Sequence, residues 1–174
     1  MEIDEYFAKL SEHFGRNEEM ELRELSNQAI EEATMSQNKT LVDISIVSYA
    51  LGKLMTKPHL FRSEQWQTFK AHILEELGKK TEMGKILTEI IEDISSFDID
   101  LGNYARDVIE KSRIKQASRA YALGISLKQA SELTGVDLNE LLDYIGATKI
   151  HDRPFTKSKN VAERYGAAKK ALGG

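Results

Sequence analysis

The chain contains no cysteine. That excludes disulfide bonds and thiolate metal sites, and the plain expectation is an intracellular, cytoplasmic protein. Proline is nearly absent as well: only Pro58 and Pro154 occur, both placed as punctuation between elements. No run of about 18 uninterrupted apolar residues exists, so no membrane span is expected. The opening residues, Met1-Glu2-Ile3-Asp4-Glu5, are acidic and lack a long apolar run, so they do not read as a signal peptide. β-Branched clusters are few. Also missing are a glycine-rich phosphate loop after a strand, a Gly-x-Ser-x-Gly pattern and a His-Glu-x-x-His pattern. No cofactor is therefore implied, and a non-enzymatic protein is expected.

What is present is a 174-residue chain with 41% hydrophobic and 30% charged residues. Those values fit a globular protein of one-domain size, with two small domains as the alternative. The formal net charge of −4 hides an asymmetry. Residues 1–110 carry 12 Lys/Arg against 22 Asp/Glu, whereas residues 111–174 carry 12 against 6. Such a split suggests two surfaces with different partners; the alternative is a solvated acidic bundle with an ordinary basic end.

Helix formers dominate, and the apolar spacing predicts five helices in the first 97 residues. Residues 2–14 place Ile3, Phe7, Leu10 and Phe14 on one stripe, with Gly15 as the expected terminator. Residues 18–35 align Leu22, Leu25, Ala29 and Ala33, with Glu18, Glu19 and Glu21 in the favourable first turn. From Leu41 to Met55 the sequence is almost continuously apolar and predicts a central buried helix ended by Pro58. The alternation of Val42, Ile44 and Ile46 also fits a short strand, but the pattern runs about four turns, longer than most strands. Ser63 is placed to cap a helix carrying Trp66, Phe69, Ile73 and Leu77, closed by Gly78. Thr81 is placed to cap another with Met83, Leu87, Ile90, Ile94 and Phe97, and Ser95 to Asp100 then breaks the pattern. Asp100 is the expected cap of a long helix from Leu101 to Leu123, with Ala105, Val108, Ile109, Ala117, Ala120 and Tyr121 inward and Gly124 as its stop. This helix reads as a bridge. Its first half carries Arg106, Asp107 and Glu110; its second half carries Lys111, Arg113, Lys115 and Arg119 with no acid. The expected organisation is an acidic helical bundle over 1–100, and a second part over 101–174 made of bridge, paired helices and basic tail.

From Ala122 to Ile145 the spacing predicts helix, glycine turn, helix. Leu127, Ala130 and Ser131 lie in the first helix, Gly135 and Val136 form the turn, and Leu138, Leu141 and Leu142 are expected inward on the second. A small residue lets two helices cross closely, and a glycine permits the sharp turn between them. This segment resembles the helix-turn-helix of bacterial and archaeal DNA-binding proteins. A recognition helix sits between phosphates, yet this one offers Asp137, Asn139, Glu140 and Asp143 and no Lys or Arg. The other readings are a compact end of a helical domain and a degenerate motif used for protein contact.

After Gly146 comes an extended piece around Pro154, then an expected amphipathic helix from about Ser158 to Leu172. Val161, Tyr165, Ala168 and Leu172 form its stripe, and Lys157, Lys159, Arg164, Lys169 and Lys170 its charge. So short a helix has to dock, on its own domain or on a partner. The order of these parts resembles certain small prokaryotic antitoxins. That resemblance implies a tail wrapped around a toxin ribonuclease, with Ile150, Phe155, Val161, Tyr165 and Leu172 as contacts; it leaves residues 1–97 unexplained.

Other constellations are weaker. His72, Glu75 and Glu76 share a helix face where a metal would need further ligands, and a solvated face is the alternative. Glu89, Glu92 and Asp93 could meet Glu12 or Asp43, but the paired Glu-x-x-His of a carboxylate metal site is missing. His151-Asp152-Arg153 could handle phosphate, Arg153 gripping it and His151 moving a proton. The lone Trp66 reads as core rather than as a base-stacking platform.

Three functional readings follow. In the first, the basic C-terminal third binds an acidic surface of a protein partner, in an antitoxin-like or regulatory complex. In the second, Arg113, Lys115, Arg119, Lys149 and Arg153 hold the phosphates of DNA or RNA. In the third, an enzyme site surrounds His151. The residues expected at a partner or phosphate contact are Arg113, Lys115, Arg119, Lys149, His151, Arg153, Phe155, Lys157, Lys159, Arg164 and Tyr165.

Overall fold

A computed structural model describes residues 1–61, 63–79, 82–100 and 106–148. Among them every regular element is a helix: α1 (Ile3–Arg16), α2 (Glu19–Ser36), α3 (Lys39–Met55), α4 (Pro58–Phe61), α5 (Glu64–Leu77), α6 (Met83–Asp100), α7 (Arg106–Ala122), α8 (Leu127–Thr134) and α9 (Leu138–Thr148). The protein is an all-α multi-helix bundle. None of these helices is long and apolar enough to cross a membrane. The helix expected over 158–172 and the cap expected at Thr81 lie outside the described residues.

The apolar stripes become the core. Phe7, Leu10 and Phe14 of α1 and Leu22, Leu25, Ala29 and Ala33 of α2 are buried. α3 is central, buried around most of its circumference, so the strand alternative for 42–46 does not hold. Asn38 caps it, its Oδ1 accepting from the amides of Thr40 at 2.9 Å and Leu41 at 3.4 Å. Gly52 lies against the start of α2; a Cβ there would sit 3.5 Å from the Glu19 carbonyl and 3.6 Å from Leu22 Cβ, ordinary contact with no room for more.

Several helix ends differ from expectation. α1 passes through Gly15 and ends at Asn17, which takes the left-handed conformation at φ 61°. Asn is one of the few side chains that does so at low cost. The end is then closed from a distance: Lys70 of α5 donates to the Gly15 carbonyl at 2.8 Å and to Asn17 Oδ1 at 2.6 Å. Pro58 does more than end α3. It opens the one-turn α4, where its missing N–H costs nothing. Ser63 caps α5 as expected, accepting from the Trp66 amide at 3.1 Å. The break expected at Ser95–Asp100 is helical instead. Ser95 Oγ donates back to the Ile91 carbonyl at 2.8 Å, and Phe97 stacks on Phe69 with centroids 4.2 Å apart. Asp100 is thus the last residue of α6 and not the cap of the next helix.

α7 packs within the bundle, with Val108, Ile109, Ala117 and Ala120 inward as their spacing predicts. It lies along α3 and also meets α2, α6, α8 and α9. Val108, Ile109, Ile114, Ala117 and Ala120 are buried in the same core as α2 and α3, and so are Ser112, Gln116 and Ser118. Small side chains let the helices approach closely, and Ser112 satisfies its hydroxyl on the Val108 carbonyl one turn back. A relay ties the three helices together: Gln116 Nε2 donates to Ser26 Oγ at 2.9 Å, and Ser26 Oγ donates to the Ser45 carbonyl at 2.7 Å.

Candidate functional site: a basic cluster on α3 and α7

The site begins where α7 meets the two helices after it. Ser126 and Gln129 form a reciprocal capping box at the start of α8. Gly135 ends α8 in the left-handed region at φ 73°, and Val136 is buried in the turn. Asp137 Oδ1 then accepts from the amides of Asn139 at 2.9 Å and Glu140 at 3.2 Å, opening α9. A Cβ at Gly135 would lie 3.8 Å from Arg113 Nη1, so space is available and the backbone conformation is the cost. Gly135→Ala is expected to lower stability by about 1 kcal/mol, read as a fall of a few degrees in melting temperature. The inward side of α9 is narrower than the spacing implied. Leu141 and Ile145 are buried, whereas Leu138 and Leu142 stand out at 38% and 49% exposure.

The cations of α7 diverge around this frame. Half-buried Arg113 turns toward the Gly135 turn and Asp43 of α3. Burial raises the pKa of Asp43, and the charges of Arg113 and Lys39 oppose that rise. Lys115 lies close enough to Lys53 for its charge to act there. Half-buried Lys53 near the end of α3 has its pKa lowered, first by burial and then by Lys111, Lys57, Arg23 and Lys115. The like charges felt at Lys53 thus come from Lys57, just past the end of α3, from Lys111 and Lys115 one turn apart on α7, and from Arg23 of α2. Arg23 is held to Glu19 at 2.8 Å. Arg119 follows Lys115 by one further turn of α7 and is exposed.

A lysine whose folded pKa lies below its ordinary value of 10.5 carries a charge that costs stability at every lower pH. The penalty fades as pH rises from the folded value through 10.5. Lys53→Met keeps the alkyl stem and removes the charge. It is expected to stabilise the fold at pH 7, on the order of 0.5 kcal/mol after solvent screening, and by less at pH 11. Thermal melts at the two pH values check this.

Of the residues expected at a contact, Arg113, Lys115 and Arg119 are placed on α7, and only Lys115 joins the cluster around Lys53. Lys149, His151, Arg153, Phe155, Lys157, Lys159, Arg164 and Tyr165 lie outside the described residues, as do the other tail contacts that the antitoxin resemblance implies. Lys53, Lys57 and Arg23 were hidden by the acidic balance of the first 110 residues. The i, i+4 spacing of Lys53 and Lys57, across the end of the most apolar helix, was a signal for those two; Arg23 had none. The metal constellations do not assemble. His72 Nε2 pairs with Asp93 Oδ2 at 3.0 Å, Glu76 Oε2 accepts from Lys79 at 2.6 Å, and Glu12 bridges to Arg16 at 2.6 Å. Among the described residues no group of three His, Cys, Asp or Glu is placed to hold a metal ion.

Comparison with known proteins leaves these observations to stand alone. No protein-family model, no curated protein and no solved structure matches the chain.

Proposed function

We propose that the chain is a non-enzymatic interaction protein that receives an acidic partner surface on the cluster formed by Lys53, Lys57, Lys111 and Lys115, with the basic C-terminal segment adding to the same contact. The observation that carries this reading is half-buried Lys53, with like charges acting on it from α2, from α7 and from just past the end of α3. The charges that these side chains share favour an anionic surface placed over them. A half-buried lysine with like charges from separate elements near it is poorly explained as solubility charge, which is cheaper on an open helix face. The order of parts after Ala122 gives the antitoxin-like complex as the working picture of the partnership.

Phosphate would satisfy the same cations, so the nucleic-acid reading is the competitor. Against it, α9 contains no Lys or Arg, and Asp137, Glu140 and Asp143 would meet the backbone of any duplex it entered. The enzyme reading depends on His151 and gains no support from the described residues. The test is fluorescence anisotropy with a labelled Glu/Asp-rich peptide and with a short DNA duplex and an RNA strand, each across a salt series. The peptide is expected to bind, more weakly as salt rises, and the K111E/K115E pair to weaken it roughly ten-fold or more. Tighter, steeply salt-dependent binding of duplex or RNA would instead establish the second reading. No shift with any probe at low salt removes both.

A further inference from the structure

A cleft of about 760 Å³ lies between α5 and α6 and shares no residue with the contact proposed above. That volume falls within the roughly 300–1,000 Å³ of small-molecule sites. Phe69 and Phe97 line it as a stacked pair, with centroids 4.2 Å apart and planes 18° apart. Glu64, Thr68 and His72 stand along its α5 side, each one turn from the next. Asp93 faces His72 from α6, its Oδ2 3.0 Å from His72 Nε2. Phe69 falls between Glu64 and His72 along α5. The carboxylates of Glu64 and Asp93 therefore stand toward either end of the aromatic pair, two turns or roughly 12 Å apart along the helix.

The charge of this cleft is one-sided. No Lys or Arg is among its described lining residues. Lys70, the one lysine of α5, is engaged elsewhere, at the end of α1, by the Gly15 carbonyl and Asn17 Oδ1. Among the described residues Glu64 makes no ion pair, and Asp93 pairs with His72 through one of its two oxygens. An anionic ligand is repelled by both carboxylates. A compact hydrated cation satisfies them and leaves the rings uncovered, whereas aromatic rings both attract cationic groups and bury methylenes. The chemistry that suits the whole cleft is an apolar chain with a cationic group at each end. We infer that it binds a linear aliphatic polyamine, with methylenes over Phe69 and Phe97 and terminal ammonium groups on Glu64 and Asp93. Gln65 and Thr68 complete the polar rim.

Equilibrium dialysis of the full chain against radiolabelled spermidine, at physiological ionic strength, tests this. Saturable binding at one site per chain is expected. Glu64→Gln removes one charge at an exposed position, where the fold is not at stake. Asp93→Asn removes the other, and its amide can still pair with His72. Each is expected to weaken binding roughly three- to five-fold, the scale of one exposed ion pair, and the two together roughly ten-fold or more. Circular dichroism melts are expected to stay close to that of the parent. Hexaamminecobalt(III) matches spermidine in charge and N–H donors but has no chain. It is expected to compete at least roughly ten-fold less well than unlabelled spermidine, because it covers none of the aromatic surface. Absence of saturable binding, several equivalent sites per chain, equal competition by hexaamminecobalt, or binding undiminished by Glu64→Gln would each overturn the polyamine site.

Discussion

Replacing Trp66 with alanine is expected to cost about 4 kcal/mol, a loss of roughly 10 °C or more in melting temperature. Trp66 is fully buried and gathers four phenylalanines from four helices. Phe14 of α1 meets it edge-on with centroids 6.1 Å apart, Phe61 of α4 lies at 6.1 Å, Phe69 of α5 at 5.7 Å and Phe97 of α6 at 6.2 Å. Truncation leaves a cavity at the point where these elements join, and surrounding rings relax only partly. Trp66→Phe should behave differently. Among the described residues the buried indole Nε1 has no hydrogen-bond partner. Removing that donor recovers part of its desolvation cost, about 1–3 kcal/mol, and offsets much of the lost volume. A net loss of about 1 kcal/mol or less is expected for Phe. Urea and thermal melts followed by circular dichroism give both values, and equal losses for Ala and Phe would contradict this account of the indole nitrogen.

The second large effect is expected at Gln116, which is 1% exposed at the crossing of α2, α3 and α7. Gln116→Ala opens a cavity and removes the donor to Ser26 Oγ; about 3 kcal/mol is expected. Gln116→Met keeps the volume. Ser26 Oγ still donates to the Ser45 carbonyl, and Gln116 Oε1 has no partner among the described residues to lose. Methionine is therefore expected to cost about 1 kcal/mol or less. The difference between the two variants isolates packing from hydrogen bonding. If methionine proves as damaging as alanine, the relay to Ser26 carries the stability and the volume does not.

These two positions mark what could be read in advance and what could not. Trp66 was legible as core because it stands at helical spacing with Phe69, Ile73 and Leu77 behind a serine cap. Gln116 was not legible. Between Lys115 and Arg119 it looks like one more position on a polar helix, and its burial follows only from where α3 lies. The same blindness applied to Ser112 and Ser118. Hydropathy reads them as surface, but small hydroxyls can fold back onto their own helix, or sit where two backbones approach, without disrupting the packing. Leu138 and Leu142 show the converse. Their spacing promised an inward face shared with Leu141, but of the three only Leu141 is buried, joined by Ile145. In the candidate site, Lys115 was foreseen from the acid-free half of α7. Lys53, Lys57 and Arg23 were not, because they stand in stretches whose local charge is ordinary or acidic.

What the sequence by itself determined is the class of fold and part of its punctuation: helices of about the right extent, Ser63 as a cap, and Gly135 as a turn that a side chain would strain. Those features are local, set by side-chain periodicity and by backbone conformations within a few residues. What only the tertiary structure decided is which helices are central, which leucines remain outside and which cations converge. A burial or a charge cluster made by residues 23, 53, 57, 111 and 115 depends on how α2, α3 and α7 cross. That crossing is set by close packing over the whole core, to which no short window of sequence has access.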